Sequence, residues 1–365
     1  MRYWMHGVGN DIPSSIRLLK NLGFEAVVGN DQVMIDEANA VGLDVYLCSG
    51  AFGAHGKFSN PKYLAQDING KPQLWFNSTC PNDPEVRQHN LENIVLMTRT
   101  KGIKGILIDG ARFASPASST DPDAFYTCFC STCEKKACDL GFNFKHMKKA
   151  VEALYQRINH DRSIDLSDYI KGLVDWLEFR RVCTTEHLIN FSKTVKNQNP
   201  GLLTGIYIFS PSIAPLVGQN YHDLQKHMDI FSPMIYRHYK ANEGPACLNF
   251  ELSVIAKELG KSLLPMDRAI SLISSITGIE ITEISSPDDI LNGLSPKSIG
   301  NETQKAKAAI SDNDQLVPII QLDDERLAES IAEAEKAGAD CINFFVYNDK
   351  LMEEKREVFE NLFIK

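Results

Sequence analysis

Residues 105–133 read GILIDGARFASPASSTDPDAFYTCFCSTC, and the first six positions decide the fold. Ile106, Leu107 and Ile108 form an apolar run of the kind found in a strand buried on both faces, and Asp109 ends it. Gly110 then lets the backbone turn at once. A buried-both-sides strand belongs in a parallel sheet covered by helices, and a carboxylate at its C-terminal end is costly unless hydrogen-bonded or used. Further on, Cys128, Cys130 and Cys133 form CxCxxC, a spacing with which thiolates can wrap one tetrahedral metal if a fourth ligand arrives.

Outward from this stretch, short apolar strands alternate with amphipathic helices along the whole chain. Strands are expected at 3–7, 25–29, 44–50, 105–109, 202–210, 229–236, 316–322 and 341–347. Helices are expected at 12–24, at 31–43 with Asp31 as N-cap and Gly42 at the end, and at 84–100 with Pro84 in the first turn. Two more are expected at 173–200 and 330–340. Eight strands with intervening helices specify an α/β fold, a (β/α)8 TIM barrel with long loop insertions after strands 3, 4 and 6. Residues 1–365 then form a single barrel, 110–171 an insertion carrying the cysteine cluster, and 240–312 helix six plus an insertion over the barrel mouth. SLLPMD at 262–267 competes with LVPIIQL for strand seven; the second is preferred because a helix and strand eight follow it at normal loop lengths.

The chain has 365 residues, 43% of them hydrophobic, and a net charge of -9. That charge, and the absence of Lys/Arg-rich runs with interleaved aromatics, argue against a nucleic-acid partner. No apolar run of membrane-spanning length and no secretory leader is visible, so no membrane partner and a cytoplasmic location are expected. Nine cysteines cannot all pair internally, which points to a reducing compartment. A homo-oligomer is compatible with the sequence.

Each strand ends in or near a polar residue, and in a (β/α)8 barrel those ends converge on the active site. Asp109 is the first catalytic candidate, against the alternative of a loop anchor paired with Arg112. Cleavage of a glycosidic bond needs a second carboxyl group, and Asp323 in IIQLDDE is the provisional partner. Asp324 can cap the next helix, while Glu243 and Glu251 are further candidates. His6, Asn30, Trp75, Arg112, Tyr236, Arg237 and His238 are candidate ligand-binding residues, offering donors or aromatic surface, with loop packing as the competing reading. An arginine of helix four, Arg180 or Arg181, can either reach the pocket or face solvent. For the metal, Cys80 in FNSTCPNDP and Cys138 are both available as fourth ligand. A centre of four thiolates would be closed and structural.

The series FNSTCPNDPEVR, a helix, an acidic residue at strand four and then CFCSTC resembles the glycoside hydrolase clan that includes the family 42 beta-galactosidases. It resembles still more the uncharacterised glycosyl hydrolase barrels whose strand four ends in a DG-type motif followed by a CxCxxC loop. The likeness covers strands three and four with their loops, about a quarter of the chain. It implies a structural, non-catalytic zinc held by Cys80, Cys128, Cys130 and Cys133, and a carbohydrate ligand. The chain departs from family 42 at the catalytic positions, with Ile108-Asp109 in place of Asn-Glu and Gln321-Leu322-Asp323 in place of a strand-seven glutamate. The alpha-galactosidase-like clan does place an aspartate nucleophile at strand four. The resemblance thus implies the barrel, the zinc and a sugar ligand without fixing either carboxylate's role; a glycosidase using Asp109 and Asp323 is expected from the residues themselves, with a carbohydrate-binding barrel lacking hydrolysis as the alternative.

Overall fold

The computed structural model describes residues 1–118, 122–237, 247–279 and 284–363; the expected ligand-binding residue His238 and the candidate Glu243 lie outside them. The barrel strands are β1 (Arg2–His6), β2 (Ala26–Val28), β3 (Asp44–Gly50), β4 (Gly105–Asp109), β5 (Leu203–Phe209), β6 (Ile230–Met234), β7 (Ile319–Gln321) and β8 (Cys341–Phe345). Each pairs in parallel with the next, and β8 pairs with β1 through Arg2↔Cys341 to Met5↔Phe344, closing the ring. Closure leaves the barrel sheet without an open edge.

Strand seven is interrupted rather than continuous. Gln315–Leu316 pairs with β6, and pairing resumes at Ile319. Pro318 lies between and has no N–H to give to the ladder. The competing segment 262–267 is not a strand: it joins two helices, which end at Ser262 and begin at Met266.

Helices α1 (Ile12–Asn21), α2 (Gln32–Ala40) and α3 (Pro84–Met97) cover the first three strands. Their starts are set by side-chain caps. Asp11 accepts from Ser14 N, Asp31 from Met34 N at 3.0 Å, and Asp83 from the N–H groups of Glu85 and Val86. After β4 come α4 (Ser131–Asp139), α5 (Phe144–Asn159) and the long α6 (Ile170–Gln198). A short α7 (Tyr221–Leu224) follows β5, and α8 (Leu248–Ser262), α9 (Met266–Thr277), α10 (Pro287–Leu291) and α11 (Lys297–Ala309) lie between β6 and β7. Finally, α12 (Leu327–Lys336), α13 (Asp349–Glu354) and α14 (Arg356–Phe363) complete the outer layer.

The barrel interior is filled by side chains. Trp4 on β1 stacks on Tyr46 of β3, with ring centroids 4.4 Å apart. Main-chain register sets Asp109 opposite Gly50, and the Ala51 N–H donates to the Asp109 carbonyl at 2.8 Å, tying the loops after β3 and β4 together at the C-terminal face. Among the described residues no helix is long and apolar enough to cross a membrane.

Candidate active site

Asp109 is the last residue of β4, and Gly110 turns the chain with φ +68°, a conformation open to glycine. The Gly110 N–H donates to the Asp109 carboxylate at 2.7 Å. Desolvation outweighs that bond and the nearby Arg112 charge, so the carboxyl pKa is raised. Arg112 is itself only 2% exposed. Its guanidinium lies over the rings of Phe209 (4.5 Å), Trp75 (4.8 Å) and Phe76 (5.5 Å), and Nη1 donates to the Phe113 carbonyl and Ser118 Oγ, each at 3.0 Å. Burial pushes Arg112 down to about 10, while the charges of Glu251 and Asp109 oppose that, so it stays cationic at neutral pH.

A second carboxylate, Glu251 on α8, is buried behind Arg112. It accepts hydrogen bonds from Ser115 Oγ and from the Ala117 N–H at 3.2 Å, so it pins the loop that carries Arg112. Asp323 lies two residues past β7 and keeps partial exposure. Cys247, at the start of α8, feels the charges of both Glu251 and Asp323, and burial pushes its thiol well up. Asp109 ends β4 and Asp323 follows β7, so each lies at the C-terminal end of its strand.

Across the barrel, three polar side chains meet. Tyr207 on β5 reaches to β1 and β8: its hydroxyl is 2.9 Å from His6 Nδ1 and accepts from Asn343 Nδ2 at 3.0 Å. His6 ends β1, and burial lowers its pKa to about 4. Tyr207 and Asn343 were not among the sequence candidates. A polar Asn inside the apolar strand CINFF was a readable signal; the Tyr207 contact joins residues 201 positions apart and was not.

Several expected ligand-binding residues are engaged by other parts of the chain. Trp75 is 1% exposed and lies beneath Arg112, so it has no open face for a sugar. Arg237 is 6% exposed and forms a buried ion pair with Asp324, while Nε also donates to Ser330 and Nη1 to the Leu294 carbonyl. Asp324 in turn accepts from the Arg326 N–H at 2.8 Å at the start of α12. The Asn30 amide clasps the Cys48 backbone, donating to its carbonyl at 2.7 Å and accepting from its N–H at 3.0 Å. Tyr236 is buried and stacks on Phe345 at 5.7 Å. Arg180 of α6 is fully buried; it donates to the carbonyls of Ala114, Leu216, Phe125 and Thr127 and braces the loop after β4.

That loop brings the cysteines together. Cys80 precedes α3, Cys128 and Cys130 precede α4, and Cys133 is in its first turn. All four are buried, and their Sγ atoms lie within 4.8 Å of one another. Cys80 is 3.5 Å from Cys133 and 3.6 Å from both Cys128 and Cys130. A disulfide would need about 2.05 Å, whereas four thiolates about 2.3 Å from a central ion stand about 3.8 Å apart on the edges of a tetrahedron. The donors around the sulfurs suit thiolate charge: Gln66 N–H to Cys128, Asn82 N–H to Cys80 and Asn82 Nδ2 to Cys133, at 3.3–3.4 Å. Cys130, hydrogen-bonded by Cys128, Cys133 and Cys80, is held low, whereas burial raises Cys133. Four buried sulfurs at this spacing could hold one metal ion. Cys138 is exposed and is not part of the group.

No protein-family model matches the chain, and no curated protein matches it. Solved structures do. A beta-galactosidase from the Antarctic haloarchaeon Halorubrum lacusprofundi superposes with a TM-score of 0.61 at 12% identity, over 95% of this chain and 53% of that one. A GH42 beta-galactosidase from G. stearothermophilus, in a catalytic mutant, gives 0.59 at 11% identity, over 98% and 56%. The PgaB (BpsB) glycoside hydrolase domain from Bordetella bronchiseptica gives 0.58 at 11% identity, over 99% and 98%. The chain spans about half the length of the beta-galactosidases it matches and nearly all of the PgaB domain. At these identities the likeness is one of fold: the chain has the closed parallel barrel on which these glycoside hydrolases are built.

Proposed function

We propose that the chain is a glycoside hydrolase that binds a carbohydrate at the C-terminal face of the barrel. Asp109 is its general acid and Asp323 the partner carboxylate. The observation that carries this reading is the Asp109 carboxyl at the end of β4, desolvated so that its pKa is raised, with Arg112 alongside. A raised pKa keeps a proton available for a leaving-group oxygen, the requirement for the acid of a glycosidase pair. Asp323, two residues past β7, is the carboxylate that would stabilise oxocarbenium-like charge. Likeness of fold to glycoside hydrolases supports the carbohydrate ligand. Arg112 acts through charge on Asp109, and His6 offers a hydrogen bond to the ligand.

The four-thiol centre is proposed to hold one structural zinc. Soft thiolate donors in a closed, buried tetrahedral arrangement leave no open position for chemistry, so the ion would fasten the loop after β3 to the loop after β4. A reducing, cytoplasmic setting is proposed because nine cysteines cannot all pair internally. A panel of nitrophenyl glycosides of differing sugar and anomeric configuration tests the activity. Release of nitrophenol from at least one, above the buffer rate, is expected. No release from any, with saturable binding of a sugar, would replace the hydrolase with a carbohydrate-binding barrel.

A further inference from the structure

The Tyr207 hydroxyl holds one proton and lies between two nitrogens. Asn343 Nδ2 donates to its oxygen at 3.0 Å, and His6 Nδ1 is 2.9 Å away. With the amide N–H already directed at the phenolic oxygen, the phenolic proton is left for the lone pair of His6 Nδ1. A neutral imidazole whose Nδ1 accepts must carry its proton on Nε2. The rings of Phe345 and Tyr207, with centroids 5.0 and 5.7 Å from that of His6, fix the plane of the imidazole. Burial lowers His6 to about 4, so the ring is neutral at pH 7, and it raises Tyr207, so the phenol keeps its proton. His6 ends β1 at the barrel mouth and retains partial exposure there.

We propose that Tyr207 and Asn343 are positioning residues that lock His6 in the Nε2–H tautomer, making it a hydrogen-bond donor and not an acceptor toward a bound ligand. The ligand group facing β1 must then carry an oxygen lone pair, as a hydroxyl, ring oxygen or carboxylate does; an ammonium would be rejected. The identity of that ligand as a sugar rests on the function proposed above, but the tautomer does not.

The test is nitrogen-15 NMR of imidazole-labelled full-length protein at pH 7, with His6 assigned by its loss in His6→Gln. The expected spectrum shows a bare Nδ1 and a protonated Nε2. Tyr207→Phe removes the proton given to Nδ1 and should cut the Nε2–H to Nδ1–H ratio about fivefold, the worth of one net hydrogen bond. Asn343→Asp supplies an acceptor in place of a donor, reverses the relay and should move the proton to Nδ1. A wild-type spectrum with Nδ1–H would overturn the proposal without any variant having to fold, as would a ratio unmoved in both variants. Absence of glycosidase activity would leave these results intact, so the two ideas fail separately.

Discussion

Asp109 and His6 show how burial sets protonation state at the mouth. Burial raises the Asp109 pKa, so its acid form persists to higher pH than that of an ordinary aspartate and is lost as pH rises through the shifted value. In glycoside turnover the rate should therefore fall on the alkaline side with an apparent pKa above 3.8 that belongs to Asp109. A pH–rate profile whose alkaline limb is unchanged in Asp109→Glu, or absent, would contradict this. His6 and the fully buried His187, whose Nε2 is 3.0 Å from Asn90 Oδ1, shift the other way, to about 4 and about 3 from an ordinary 6.5. Folded-state pKa values below the unfolded ones mean that the unfolded chain takes up protons first. Stability is then full above pH 6.5 and falls as pH drops toward 3, by at most roughly 3 kcal/mol from His6. Urea midpoints measured from pH 7 to pH 3.5 should decline, and less steeply in His187→Gln. The position of Asp109 was legible because an apolar run ending in Asp-Gly has few other meanings. The engagement of Trp75, Arg237 and Asn30 was not, because their partners Arg112, Asp324 and Cys48 come from distant parts of the chain.

At the level of elements, the loops after β3 and β4 meet at the four cysteines, and Arg180 and Arg112 brace the loop after β4. Metal analysis of purified protein is expected to find about one zinc per chain, with Cys80→Ser losing it. Chelation should speed hydrogen exchange in the segments around Cys80 and Cys130 while the barrel strands stay protected. Equal exchange with and without chelator would remove the fastener role. A separate fastener lies at the start of α12. Asp324→Ala leaves Arg237 buried without its carboxylate and should cost about 3–5 kcal/mol in unfolding free energy, far above a surface ion pair. A change below about 1 kcal/mol would show that the pair is not formed. The break in strand seven at Pro318 was foreseeable from its missing N–H. The pairing of Asn343 with Tyr207 was not, because opposite strands of a barrel leave no periodic trace of which side chains meet across it.

For the molecule as a whole, eight apolar segments alternating with helices pointed to the barrel, since closing eight parallel strands leaves no sheet edge open. The long excursions between β3 and β5 and between β6 and β7 carry the cysteine centre and the helices that back Arg112, and they distinguish this barrel's mouth. The central claim is that this mouth cleaves a glycoside through Asp109. Steady-state turnover of the best nitrophenyl glycoside by wild type and by Asp109→Asn, with melting temperatures taken in parallel, tests it directly. We expect the variant to fold as wild type does and to lose at least about 100-fold in kcat; a well-folded Asp109→Asn protein with wild-type turnover would contradict the account.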